Sequence, residues 1–151
     1  MTQARSEGTL DLLNGPWTAV WHQGRNNVGK EVLDLLFQEG QVVGFGSDCD
    51  GDFQYAGWFT PSGTVQLGKV YTRPSRPVPA RMTYLGQWNG RRILGRWVDD
   101  QCSTNNGPFR MWPGNGPDPG EVLETAAEPG LEAELVAVQP LHCSQQRKQH
   151  V

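Results

Sequence analysis

The sequence predicts an all-β chain: an eight-stranded antiparallel up-and-down barrel with a mostly disordered C-terminal tail. Three observations lead there. The 151 residues include 19 Gly and 11 Pro but only 19% charged side chains, which suits short strands joined by tight turns better than packed helices. Short apolar runs alternate with polar residues at a period of two, the pattern of half-buried strands. All six Trp lie before residue 113, so the material for a core ends there. A chain of this length supports one domain with a real core. The expected organisation is a flexible N-terminus over 1–9, a barrel domain over 10–112 and a Pro/Gly-rich acidic tail over 113–151, largely disordered or weakly helical.

The strands follow in order. The first, over 16–23, places Trp17, Ala19 and Trp21 on one face. The second, over 30–37, does the same with Leu33, Leu35 and Phe37. In the third, over 41–48, either Val42 and Gly44 or Val43 and Phe45 face inward. The fourth, over 52–59, presents Phe53, Tyr55, Gly57 and Phe59, and the fifth, over 64–72, Val65 and Leu67. The sixth, over 80–88, presents Met82, Tyr84, Gly86 and Trp88. The seventh, over 91–99, presents Ile93, Gly95 and Trp97, with Thr83, Gln87, Arg92 and Arg96 on the opposite faces. The eighth spans 107–112. Glu39-Gly40, Asp50-Gly51, Ser62-Gly63 and Asn89-Gly90 are hairpin turn signals that call for positive φ, with Asp50-Gly51 expected as a type I′ turn. Eight such strands bury their apolar faces and lose their edges when the sheet closes on itself. After residue 113, repeated Pro and Gly leave room only for short weak helices near 120–127 and 131–138.

Charge is unevenly distributed. Residues 1–112 carry 11 basic and 10 acidic side chains and 113–151 carry 2 and 6, so a core of +1 and a tail of −4 give the net −3. No Asp or Glu occurs between Asp52 and Asp99, where Lys69, Arg73, Arg76, Arg81, Arg91, Arg92 and Arg96 all lie. This predicts a basic outer face on strands five to seven, with Glu31, Asp34 and Asp99 as neutralising neighbours.

Several chemistries are excluded. A calcium loop starting at Asp48 needs Gly at its sixth position and Glu at its twelfth, where this chain has Phe53 and Phe59. Cys49, Cys102 and Cys143 have no zinc spacing, and reduced thiols are expected. His22 lies opposite the Trp17–Trp21 face and no Gly-x-Ser-x-Gly turn occurs, so no nucleophile–base pair is legible. Cys49 sits among aspartates, which raise rather than lower a thiol pKa. Asp48, Asp50, Asp99 and Asp100 fall near strand ends as turn carboxylates rather than as a glycosidase pair. No apolar window is long enough for a membrane span or a signal-peptide core, so the default expectation is a cytoplasmic protein with no membrane association.

The strand "GPWTAVW" resembles the Gly-x-Trp opening of the calycin superfamily, and "MTYLGQWNGRRILGRW", Met82 to Trp97, is similar to the sixth and seventh strands of avidin-like barrels. The resemblance implies an eight-stranded barrel with a ligand pocket at one open end, walled in part by Tyr84 and Trp97. The polar residues that hold the biotin ureido ring are not matched, since Ala19 stands where that family has Asn and Gly46 where it has Tyr. A late basic residue commonly stacks on the first-strand Trp in calycins, and here the resemblance gives Arg110 that structural role against Trp17.

The functional expectation is a non-enzymatic binding module for a small apolar or aromatic ligand, with no cofactor, metal or catalytic residue. Trp21, Tyr55, Tyr84 and Trp97 are the stacking residues and Asp48 the polar anchor at the rim. A ligand cup of this kind calls for a pocket of about 300 Å3 or more. The alternative is a protein-interaction or anion-binding domain, or a homo-oligomer, that uses the outer face, with Arg73, Arg76, Arg81, Arg91, Arg92 and Arg96 as the anion-binding set. Near-neutral charge disfavours nucleic acid as the partner.

Overall fold

The structure, a computed structural model, describes residues 13–120. Eight strands follow one another: β1 (Gly15–Gln23), β2 (Asn27–Gln38), β3 (Gln41–Asp48), β4 (Gly51–Phe59), β5 (Thr64–Pro74), β6 (Met82–Trp88), β7 (Ile93–Asp99) and β8 (Cys102–Pro113). Each pairs antiparallel with the next, and β1 pairs with β8 to close the barrel, with Trp17 opposite Pro113 and Trp21 opposite Phe109. Among the described residues no helix is long and apolar enough to cross a membrane. The expected flexible 1–9 segment and the helices near 120–127 and 131–138 lie outside the described residues, apart from Gly120.

The barrel exists because alternation holds round its whole circumference. Trp17, Ala19, Trp21, Leu33, Leu35, Phe37, Phe53, Tyr55, Val65, Leu67, Tyr84, Trp88, Ile93, Trp97, Phe109 and Met111 all point inward and are buried. For β3 the register decides between the two readings: Val42 is fully buried, while Val43 and Phe45 are exposed. Such a barrel brings its strands close at the glycines. A Cβ on Gly57 would stand 1.8 Å from the Gln66 carbonyl oxygen, and one on Gly95 2.0 Å from that of Leu85, so no side chain fits there.

The turns separate into two kinds. Glu39 and Gly40 both have positive φ, 52° and 79°, as a type I′ turn requires. The β3–β4 connection differs from its expected type I′ form. Asp48 pairs with Gly51, so the loop residues are Cys49 and Asp50, and neither has positive φ. The Asp48 side chain accepts from the Asp50 amide at 2.8 Å, and this Asx interaction together with Gly51 at φ 132° turns the chain instead.

The two ends of the barrel are unlike. One is plugged by aromatic rings: Trp17 lies 5.6 Å from Phe37 and 5.9 Å from Trp88 between ring centroids, and Phe37 meets Phe59 edge-on. Arg110 does not stack on Trp17 as the resemblance implies. Phe109 and Met111 take the inward positions of β8, so Arg110 points outward, with its Nη1 3.3 Å from His22 and its Nε donating to Asp118.

The chain also stays on the barrel beyond β8. Thr18 Oγ1 donates to the Gly114 carbonyl and Trp112 Nε1 to that of Gly116. Asp118, buried, accepts twice from Arg92 Nη1, at 2.7 and 2.9 Å, and once from Arg110 Nε at 2.8 Å. Arg92 therefore leaves the expected outer basic face; it is buried beneath this returning segment. Cys102 departs from the reduced-thiol expectation as well: it is disulfide-bonded, whereas Cys49 is a free, exposed thiol.

Candidate functional site

The other end of the barrel is polar inside. Glu31 lies in phase with Leu33, Leu35 and Phe37 on β2, and Lys69 in phase with Val65 and Leu67 on β5. The alternation that buries the apolar residues therefore drives both charges into the barrel. Lys69 Nζ donates to Glu31 Oε2 at 2.6 Å, to Asp48 Oδ2 at 2.8 Å and, more weakly, to Tyr84 Oη at 3.4 Å. Tyr55 donates to Glu31 at 2.9 Å, and Asp48 Oδ2 also accepts from Tyr71 at 2.7 Å and Trp21 Nε1 at 3.2 Å. Burying charges is costly unless each is paired and hydrogen-bonded, and this network meets that condition. Five ring centroids surround the ammonium: Phe53 at 4.4 Å, Tyr71 at 4.8 Å, Tyr84 at 5.5 Å, Trp21 at 5.8 Å and Tyr55 at 5.9 Å. Each presents electron density that favours a cation.

The ionisation states follow from these surroundings. Burial raises the Glu31 carboxyl above its ordinary value, against the opposing pull of Lys69. Burial alone would lower the Lys69 ammonium, but Glu31 and the neighbouring tyrosines and Asp48 hold it well above its ordinary value. A lysine so held is a fixed cation, not a nucleophile. Burial, reinforced by Glu31 at Tyr55 and by Asp48 at Tyr71, raises those two phenols, and burial raises Tyr84 against the pull of Lys69.

These three are all the tyrosines the chain has, which yields an expected result. The native protein shows no tyrosinate absorbance near the ordinary phenol pKa of about 10, and all three rings ionise together when alkali unfolds the barrel. Because the folded-state pKa values are raised, the stability they contribute is complete below about pH 10 and falls as pH rises beyond it. A separate titration of one ring in the folded protein contradicts this network.

Above the cluster the barrel ends in a shallow void of about 10 Å3, the room of roughly one water molecule, open to solvent. Trp21, Trp97, Tyr71 and Tyr84 wall it with Met82 and Pro79, Lys69 forms its floor, and Gln23 and Asp50 stand at its edge. Trp21 and Trp97 meet edge-on at 6.4 Å, and the Trp97 Nε1 donates to the His22 carbonyl. The expected stacking set thus separates by depth. Trp21, Tyr84 and Trp97 line the void, Tyr55 is packed beneath it, and Asp48 serves Lys69 rather than the rim. The expected cup of about 300 Å3 is not present: the void holds only about 10 Å3, because Lys69, Glu31 and their tyrosine partners occupy the interior.

The expected anion-binding set does not form one uncompensated face. Arg76 pairs with Asp50 and Arg81 with Asp100, both at the open end, Arg92 is buried on Asp118, and Arg96 bonds to Asn106. Arg73 reaches the outer surface through a bulge: Asp52 pairs with Arg73 but Phe53 with Tyr71, so Thr72 is the extra residue that reverses the alternation. Arg91 is exposed in the β6–β7 turn, its amide bonded to Asn89. The outer surface of β2 to β5 is instead apolar, with Val32, Leu36, Val43, Phe45, Trp58 and Val70 exposed.

The donor atoms of Asp48, Cys49 and Asp50 lie within 4.8 Å of one another. Lys69 and Arg76 already hold the two carboxylates, and burial, with Asp50 and Asp48, raises the Cys49 thiol. The grouping is a salt-bridged turn. Glu31, Lys69 and Tyr71 are the residues of this network that the sequence reading left outside the site. No protein-family model, curated protein or solved structure matches this chain.

Proposed function

We propose that this chain is a non-enzymatic β-barrel binding module that holds a small, partly aromatic ligand at the open end of the barrel. The observation that carries this reading is the void walled by Trp21, Trp97, Tyr71 and Tyr84 over the Lys69 floor. Rigid aromatic walls converging with a few polar groups are the usual make-up of a small-molecule site. The size of the void, about 10 Å3, admits only a group about as large as one water, so the body of the ligand rests on the aromatic rim outside it. The network beneath supports a binding role over a catalytic one, since its charged groups are bonded to one another and general acid–base work needs a proton held near the working pH. The calycin resemblance of the first strand and of the Met82–Trp97 hairpin favours the same reading.

The test is a thermal-shift screen of the intact chain against fragment-sized metabolites. A ligand present at 100 times its dissociation constant adds about 2.7 kcal/mol of stability, and a genuine hit also changes the fluorescence of Trp21 or Trp97. A library that shifts nothing removes the small-ligand reading.

A further inference from the structure

The chemistry of the open end narrows the ligand further. Four buried carboxylates gather there, Glu31, Asp48, Asp50 and Asp99, against one buried ammonium, Lys69. Of the exposed cations nearby, Arg76 pairs with Asp50 and Arg81 with Asp100, while Arg73 stands opposite Asp52 on the outer surface. A proton on Glu31 reduces the excess of negative charge around the void without reversing its sign.

The ammonium, indole and phenol donors that border the void are also spent. Lys69 gives its three to Glu31, Asp48 and Tyr84; Trp21 and Tyr71 give theirs to Asp48; Trp97 gives its own to the His22 carbonyl. A phenol that donates can still accept, so Tyr71 and Tyr84 meet the void as acceptors. The walls are π-faces, which attract cations and repel anions. The barrel already uses this chemistry one layer deeper, where five rings and two carboxylates enclose its own ammonium.

We infer that the open end takes a small organic ammonium ion, a primary amine carried on a single ring or short apolar body, and rejects the matching carboxylate. The inference rests on the small-ligand reading and adds its charge and donor pattern. The ammonium alone enters the water-sized void, held by the phenol oxygen of Tyr71 in the field of the carboxylates behind it, while the ring rests outside against the Trp21–Trp97 pair, whose edge-on contact at 6.4 Å leaves no gap between them.

Benzylammonium, benzyl alcohol and benzoate test this, since they share one ring and differ in charge. Titrated into the intact chain at neutral pH and followed by tryptophan fluorescence and calorimetry, benzylammonium is expected to bind at least about tenfold more tightly than benzoate, the scale of one charge-assisted hydrogen bond. Tyr71→Phe, checked for an unchanged fold by circular dichroism, is expected to lose most of that preference. Benzoate binding as tightly as benzylammonium overturns the inference and leaves the small-ligand reading standing, and so does an amine preference that survives Tyr71→Phe, because the amine is then held elsewhere. If none of the three probes binds, the inference falls; the small-ligand reading falls with it only when the wider thermal-shift screen is also silent.

Discussion

Lys69→Met is expected to destabilise the barrel by about 3–5 kcal/mol at neutral pH, the usual cost of removing one partner from a buried ion pair. Methionine fills much of the same volume, so the loss is electrostatic. Glu31 and Asp48 lie with side chains at 0% exposure, and without Lys69 neither has a cation within hydrogen-bond reach inside the barrel. The deficit depends on pH, with a sign that can be stated beforehand. Burial already raises Glu31 above its ordinary value with Lys69 present, and removing the lysine raises it further. A group whose folded pKa is raised contributes stability that is complete below the unfolded value and is lost as pH rises through the folded one. The variant's deficit is therefore smallest near pH 4 to 5 and grows toward neutrality. Urea unfolding across that range measures it, and Glu31→Gln/Lys69→Met is expected to recover part of the loss. A deficit below 1 kcal/mol, or one unchanged with pH, means the cluster is not a paired charge network.

Asp118→Ala is expected to cost about 3 kcal/mol, although residue 118 lies beyond the last strand. Its carboxylate holds Arg92, whose side chain is 2% exposed, and bridges to Arg110 on β8. Alanine leaves a guanidinium buried against Gly120, and loses the bond that the Gly120 amide donates to the Asp118 carboxylate. The segment that covers Trp112 is then released, so limited proteolysis between Pro113 and Gly120 accelerates along with the fall in unfolding free energy. Arg92→Leu combined with Asp118→Leu removes both charges, and its cost is expected to be smaller than that of Asp118→Ala alone. Equal losses in the single and double variants mean that the segment is held by packing and not by this pair.

Much of the site was written in the alternation. The strand period places Trp21, Tyr55, Tyr84 and Trp97 inside, and it places Glu31 and Lys69 inside too, at positions 31, 33, 35, 37 and 65, 67, 69, 71 of two strands. Hydropathy suggested the surface for those two charges, because a lone buried ion is prohibitive. What makes their burial tolerable is that β2 and β5, distant in sequence, meet across the barrel at this level, and a single chain pattern carries no sign of that meeting. The β3–β4 turn went unread for a related reason. Asp50-Gly51 has the composition of a type I′ turn, but the pairing of Asp48 with Gly51 moves the loop one residue toward the N-terminus.

The sequence by itself determined the number of strands, the inward faces of β1, β2 and β4 to β7, the order in which they pair and the aromatic character of the interior, because period, turn residues and edge avoidance are local or nearly local properties. Only the tertiary structure decided which charges are buried, that Arg92 and Arg110 share Asp118, which way β3 faces, and how little space remains at the open end. Those depend on which side chains face one another across a closed barrel, and that proximity is created by closure rather than encoded in any one strand.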